Sequence, residues 1–163
     1  MTHAHYAYYA DLARHLLDTV PALRYCDLYT TELSELPATP AVVIEYETQA
    51  ATEADHDGHL LRGTLRLYHH HQVTGYHTAF TDNHTPQVPP HYQLNTELIA
   101  ATLTLDVSYA SPLRLSALAT DHAPDGYTVD VAEYELELLL PAPDYGDGTT
   151  AELRVATVEG RVG

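Results

Sequence analysis

Twelve histidines are the first candidates for chemistry in this chain. In Tyr68-His-His-His-Gln72, His69 and His71 fall on one face of any strand, because side chains alternate. Two imidazoles at that spacing can begin a metal site, since neutral imidazole nitrogen is a good zinc ligand. A strand-end histidine pair is more often plain polar surface. Glu53-Ala-Asp-His-Asp-Gly58 carries carboxylates on alternate residues. It lacks the spacing and closing glutamate of a calcium loop and reads as a solvated hairpin turn. Asp121-His122 offers two members of a dyad, but no serine or cysteine sits in a nucleophile-elbow context. Cys26 has no activating neighbour and reads as a packed strand thiol. There is no glycine-rich phosphate loop. The expectation is a non-catalytic protein with no cofactor, no metal and no catalytic residue.

A second set of residues does electrostatic rather than covalent work. Ala41-Val-Val-Ile-Glu-Tyr-Glu-Thr-Gln49 alternates, with Val42, Ile44 and Tyr46 on one face and Val43, Glu45 and Glu47 on the other. Residues 60–72 put Leu61, Gly63, Leu65 and Leu67 on one face, and Arg62, Thr64 and Arg66 on the other. An antiparallel hairpin turning near Asp55 sets Glu45 near Arg66 and Glu47 near Thr64. Such cross-strand pairs contribute about 0.2–1 kcal/mol each. Glu45, Glu47, Arg62 and Arg66 are therefore the candidate sheet-face or subunit-interface residues.

The elements that position these residues follow from periodicity. Tyr9, Leu12, Ala13, Leu16, Leu17 and Val20 recur at helical spacing, which predicts a helix over 6–20 stopped by Pro21. Residues 23–29 alternate as a short strand. Residues 74–92 are a long polar connection. The stretch 93–108 fits either a helix (Leu94, Leu98, Ala101, Leu105) or a strand (Leu103, Leu105, Val107). Pro89-Pro90 upstream and Asn95 as a cap favour a helix to about 105. Leu113–Leu118 is extended, and Asp121-His-Ala-Pro-Asp-Gly126 is a turn signal. In 127–140 the apolar parity switches, from Tyr127, Val129 and Val131 to Tyr134, Leu136, Leu138 and Leu140. Either a β-bulge or apolar contacts on both faces explains that switch. Residues 151–158 read as a last, edge strand. The order implies one α+β domain over 1–163, a mostly antiparallel sheet with two helices packed on one face.

Composition narrows the function classes. The chain has 163 residues, 23 acidic against 7 basic, and all 7 are arginine, for a net charge of -16. Self-repulsion at that charge is relieved in molar salt, where the screening length is about 3 Å. This predicts a salt-accumulating host cytoplasm. The arginines are scattered, with no basic stripe to grip phosphates, so specific nucleic-acid binding is not expected. No apolar run is long enough to span a membrane, no secretory leader is evident, and a lone cysteine suits a reducing compartment.

Two family resemblances bear on these residues. Gly63, followed by five residues and His69-x-His71, resembles the opening of the first cupin metal motif. Gly75 and Tyr76 stand where that family carries glutamate, and its second motif is absent. The other resemblance is broader. Val20-Pro-Ala-Leu-Arg-Tyr-Cys-Asp-Leu-Tyr29, Pro40-Ala-Val-Val-Ile-Glu45, Gly63-Thr-Leu-Arg-Leu-Tyr68, Ser111-Pro-Leu-Arg-Leu-Ser116, Thr120-Asp-His-Ala-Pro-Asp125 and Val129-Asp-Val-Ala-Glu-Tyr-Glu-Leu136 follow one another as segments do in tail-terminator (tail-completion) proteins of long-tailed bacteriophages. The resemblance spans most of 6–140. It implies a virion protein assembled in the host cytoplasm, forming a ring, commonly of six copies, between the tail tube protein and the head–tail connector or stopper protein. Genome DNA would pass through its lumen without specific binding. Another neck protein (stopper or head-completion) and a cupin-like metal-binding barrel using His69 and His71 are the alternatives.

Overall fold

A computed structural model describes residues 4–28, 36–54, 58–73, 80 and 82–141. The elements run α1 (Ala4–Thr19), β1 (Tyr25–Leu28), β2 (Ala41–Ala54), β3 (Gly58–Gln72), α2 (Pro90–Leu103), β4 (Arg114–His122) and β5 (Tyr127–Pro141). The fold is α+β, with two helices and a mostly antiparallel mixed sheet. The expected strand over 151–158 and the centre of the 53–58 turn lie outside the described residues.

The five strands lie in the order β1-β2-β3-β5-β4. β1 runs parallel to β2, and every other neighbour is antiparallel. The β2–β3 register is the one the charge pattern predicts: Glu45 faces Arg66 and Glu47 faces Thr64. The hairpin is longer than expected, because pairing continues to Ala54 and Gly58. Gly63 is required where it stands. A Cβ there would lie 2.1 Å from the Glu47 carbonyl oxygen and 2.9 Å from the Tyr46 ring.

Both helices lie on one face of the sheet. Tyr8, Leu12 and Leu16 of α1 and Val20 just after it, with Leu94, Leu98 and Ala101 of α2, pack on Val42, Ile44, Leu65, Leu67, Ala132, Tyr134, Leu136 and Leu138. The buried stripe of α1 runs through Tyr8, whereas Tyr9 and Ala13 are only half-buried and Leu17 is exposed.

Three expectations are corrected. Residues 93–108 are helical only to Leu103, and α2 begins at Pro90 with Pro89 as its N-cap, so Asn95 is an interior position. Proline suits the first helical residue because its missing N–H would be unpaired there. β4 runs on to His122, so the turn tightens to Ala123–Gly126, closed by Gly126 N–H to the Ala123 carbonyl (3.1 Å). β5 carries no bulge along β3. The register shifts sit in β2 between Thr48 and Ala50 and in β4 between Leu115 and Ala117. The parity switch in β5 follows the second reading instead: Tyr127, Val129 and Val131 lie half-buried on the outer face, while the inward positions 128 and 130 are Thr and Asp, both buried.

Candidate functional site

Alternation along β3 carries Leu65, Leu67, His69 and His71 onto the helix-covered face in turn. His69 and His71 are thus interior residues, 0% and 3% exposed, and not polar surface. On β5, Asp130 stands directly opposite His69, and Thr128 opposite His71. Asp130 is also buried. Two further elements, α2 and β4, converge on this polar island in the core. Asn95 of α2 meets His69 Nδ1. Thr120 of β4 donates to Asp130 Oδ1 (2.6 Å). His91, in the first turn of α2, lies with its ring centroid 6.3 Å from that of His71.

Asn95 offers its oxygen, which only accepts, so Nδ1 of His69 carries the proton and Nε2 keeps a lone pair. Among the described residues, that Nε2 has no hydrogen-bond partner. His71 Nε2 lies 3.3 Å from Asp130 Oδ2, close enough for attraction but outside hydrogen-bond geometry, so both atoms are also unpaired. Burial pushes the His69 pKa down to about 4, with the Asn95 bond working in the opposite direction. Burial likewise lowers His71, partly offset by Asp130. Both rings are neutral at pH 7 for that reason, despite the nearby carboxylate.

The cluster holds two imidazoles and a carboxylate, but no serine or cysteine is hydrogen-bonded to them among the described residues. Among the same residues, no three His, Cys, Asp or Glu side chains converge to hold a metal ion. Asp121 and His122, adjacent on β4, point to opposite faces. Asp121 sits over Val129, and His122 bonds Thr128 across the strand pair (3.2 Å). Cys26 packs on the core from β1, and burial pushes its thiol up to about 12, which leaves it protonated and unreactive at neutral pH.

The opposite face of the sheet is a lattice of charge. Arg66 bonds Glu133 on β5 (2.8 Å) and reaches Glu47 (3.2 Å) and Glu45 (3.5 Å) on β2. Tyr68 donates to Glu45 (2.8 Å). Arg62 pairs with Glu137 (2.7 Å) and Arg114 with Glu135. The four sequence-predicted residues, Glu45, Glu47, Arg62 and Arg66, therefore share one face, but Arg62 belongs to Glu137 and only Arg66 gathers the β2 glutamates. Bonding to Glu133, more than to Glu47, raises the Arg66 pKa still further above the ordinary arginine range. Sequence reading missed Glu133, Glu135 and Glu137. Their odd-number alternation in 127–140 was the available signal, since Tyr134, Leu136 and Leu138 occupy the even positions.

The sheet ends in two unlike strands. β1 is four residues long and flanked by a groove of about 90 Å³ lined by Tyr6, Tyr9, Ala10, Ala13, Asp27 and Leu28. β4 is nine residues long and packs chiefly on β5. No protein-family model matches the chain, and no curated protein matches it.

Proposed function

We propose that this protein is a structural subunit that acts by assembling with copies of itself: a tail terminator of a long-tailed bacteriophage, forming a ring between the tail tube and the head–tail connector. The observation that carries the reading is the pair of unlike sheet edges, β1 and β4, on one subunit. A head-to-tail contact between unlike surfaces closes into a ring when its rotation fits. The resemblance of the segments over 6–140 names the kind of ring. The charge fits the role: a lumen lined by subunits of net charge -16 repels DNA phosphates and lets the genome slide past. The host implied by that charge is one with a salt-rich cytoplasm. Covalent chemistry is not part of the proposal.

The test is native mass and electron imaging of the purified protein in molar potassium chloride, with and without tail tubes. A closed ring that caps tube ends is expected. A monomer that ignores tubes would overturn the proposal.

A further inference from the structure

α2 is held differently at its two ends. Its C-terminal half buries Leu98, Ala101 and Thr102. There His15 of α1 meets the Ala101 carbonyl (2.9 Å) and the Thr104 hydroxyl (3.0 Å). Positive charge is favoured at a helix C-terminus, so a proton on His15 leaves that grip in place. In the N-terminal half only Leu94 is fully buried, and the rest leans on the histidine island. Asn95 meets His69, and the His91 ring lies 6.3 Å from that of His71. Pro89 supplies no side-chain cap, and the first turn carries no acidic residue. Residues 82–88, which lead into it, are all exposed.

The island can answer one positive charge and no more. Thr120 occupies Asp130 Oδ1 (2.6 Å), and Oδ2 lies 3.3 Å from His71 Nε2. A proton on His71 is therefore met by a carboxylate. A proton on His69 is not. Its Nδ1 already donates to Asn95, so the new N–H is at Nε2, which faces no acceptor among the described residues. The His69 and His71 rings are 6.5 Å apart, and His91 stands beyond His71. Imidazolium charges there would crowd beneath the N-terminal turn of α2, where the helix dipole is also positive. The surrounding charged groups bring no relief. His122 of β4 bonds Thr128 on the same side (3.2 Å) and can only add positive charge. His70 turns to the outer face and bonds the Tyr127 hydroxyl (2.8 Å). Glu97 of α2 is exposed and bonded by Gln93, and Asp11 of α1 is engaged by Arg14 and Tyr109.

We propose that the island is a proton-operated latch for α2: when His69 and His71 take up protons, the Pro90–Asn95 end of the helix lifts from the sheet, while the Leu98–Leu103 end stays docked by the core and His15. The proposal stands on the fold and does not depend on the ring reading. Lifting admits water to imidazoliums that are otherwise buried, which removes the cost of holding an unpaired charge inside. The lifted state binds protons more tightly than the docked state, so falling pH populates it. Docked His69 titrates at about 4 and a solvated histidine near 6.5, so release falls between those values. The opening is local, because β3 keeps its strand partners and the C-terminal half of α2 keeps its own buried residues.

The experiment uses the full chain in molar potassium chloride. The sequence has no tryptophan, so Tyr92→Trp, at an exposed first-turn position, puts a single reporter on the moving end. Its fluorescence and the far-ultraviolet circular dichroism are followed together as pH falls from 7.5 to 4. The fluorescence transition is expected at the higher pH, with the sheet signal still intact. Hydrogen-exchange protection over 90–95 is expected to drop about tenfold or more at pH 5 relative to pH 7.5, while that over 98–103 holds. His69→Gln in the Tyr92→Trp background moves the fluorescence midpoint to lower pH. His91→Gln, at a half-buried position, does the same by a smaller amount and serves where His69→Gln does not fold. Coincident transitions in the two signals would overturn the latch. So would a fluorescence midpoint that neither histidine variant moves.

Discussion

Asn95 on α2 accepts the Nδ1 proton of His69 on β3, and this bond ties the helix to the buried histidine–aspartate patch of the sheet's inner face. It fixes the tautomer of a ring that burial keeps neutral. The consequence is an acid-sensitive fold. An unfolded histidine titrates near 6.5, whereas folded His69 titrates at about 4. Between those values the unfolded chain binds a proton that the folded chain refuses. Stability attributable to His69 is therefore complete above pH 6.5, is lost as pH falls through that window, and changes no further below about 4. The loss is on the order of 3 kcal/mol. His71 acts in the same direction. Chemical denaturation of wild type and His69→Gln at pH 7.5 and 4.5 checks it: the variant has the shallower pH dependence.

Arg66 is the centre of the charged face, three-quarters buried and shared among Glu133, Glu47 and Glu45. Arg66→Met is expected to cost about 1–2 kcal/mol in dilute buffer, since it leaves three glutamates facing one another. The cost shrinks in molar potassium chloride. Arg114→Ala, which removes a largely exposed partner of Glu135, stays within about 0.5 kcal/mol. Urea midpoints at two salt concentrations separate the two cases.

Gly63→Ala is expected to be the most damaging single methyl in the hairpin. The new carbon meets the backbone oxygen of Glu47, which cannot move without breaking the β2–β3 ladder. A loss of about 3 kcal/mol or more, or failure to accumulate as folded protein, is the expected result. The measurement is a thermal melt beside Thr64→Ala, whose side chain lies on the solvated face.

Thermal stability of the wild type is expected to rise steeply from dilute buffer to molar potassium chloride. The cause is screening of a net charge of -16 at a length of about 3 Å. Calorimetry against salt measures it. A melting temperature that ignores salt would remove the case for a salt-accumulating host.

How much of this was legible in the sequence depends on whether the information was local. Glu45, Glu47 and Arg66 alternate with apolar residues on two strands joined by one turn, so their register could be counted from Asp55. Pro90 was harder, because a proline marks a helix start as readily as a break, and Asn95 mimics a cap inside the helix it does not cap. The histidine cluster was hidden for a different reason. Thr128 and Asp130 occupy inward positions, so apolar alternation fails where the polar island lies, and a parity change there looks the same as a bulge. Asn95 is 26 residues from His69, and no spacing rule joins them. His69 and His71 were noticed for their type and misplaced on the surface, although they share the parity of Leu65 and Leu67; what spacing does not show is that helix cover extends to that end of β3.

β3 is bordered along its entire length, every residue from Gly58 to Gln72 having a partner on β5 and most having another on β2. Local fraying cannot free a strand held from both flanks. Its amide protons should therefore trade with deuterium only when the whole domain opens, and their exchange rates would report the global unfolding free energy. Those of β4, which has a strand neighbour on one side only among the described residues, would instead report on what pairs with its other flank.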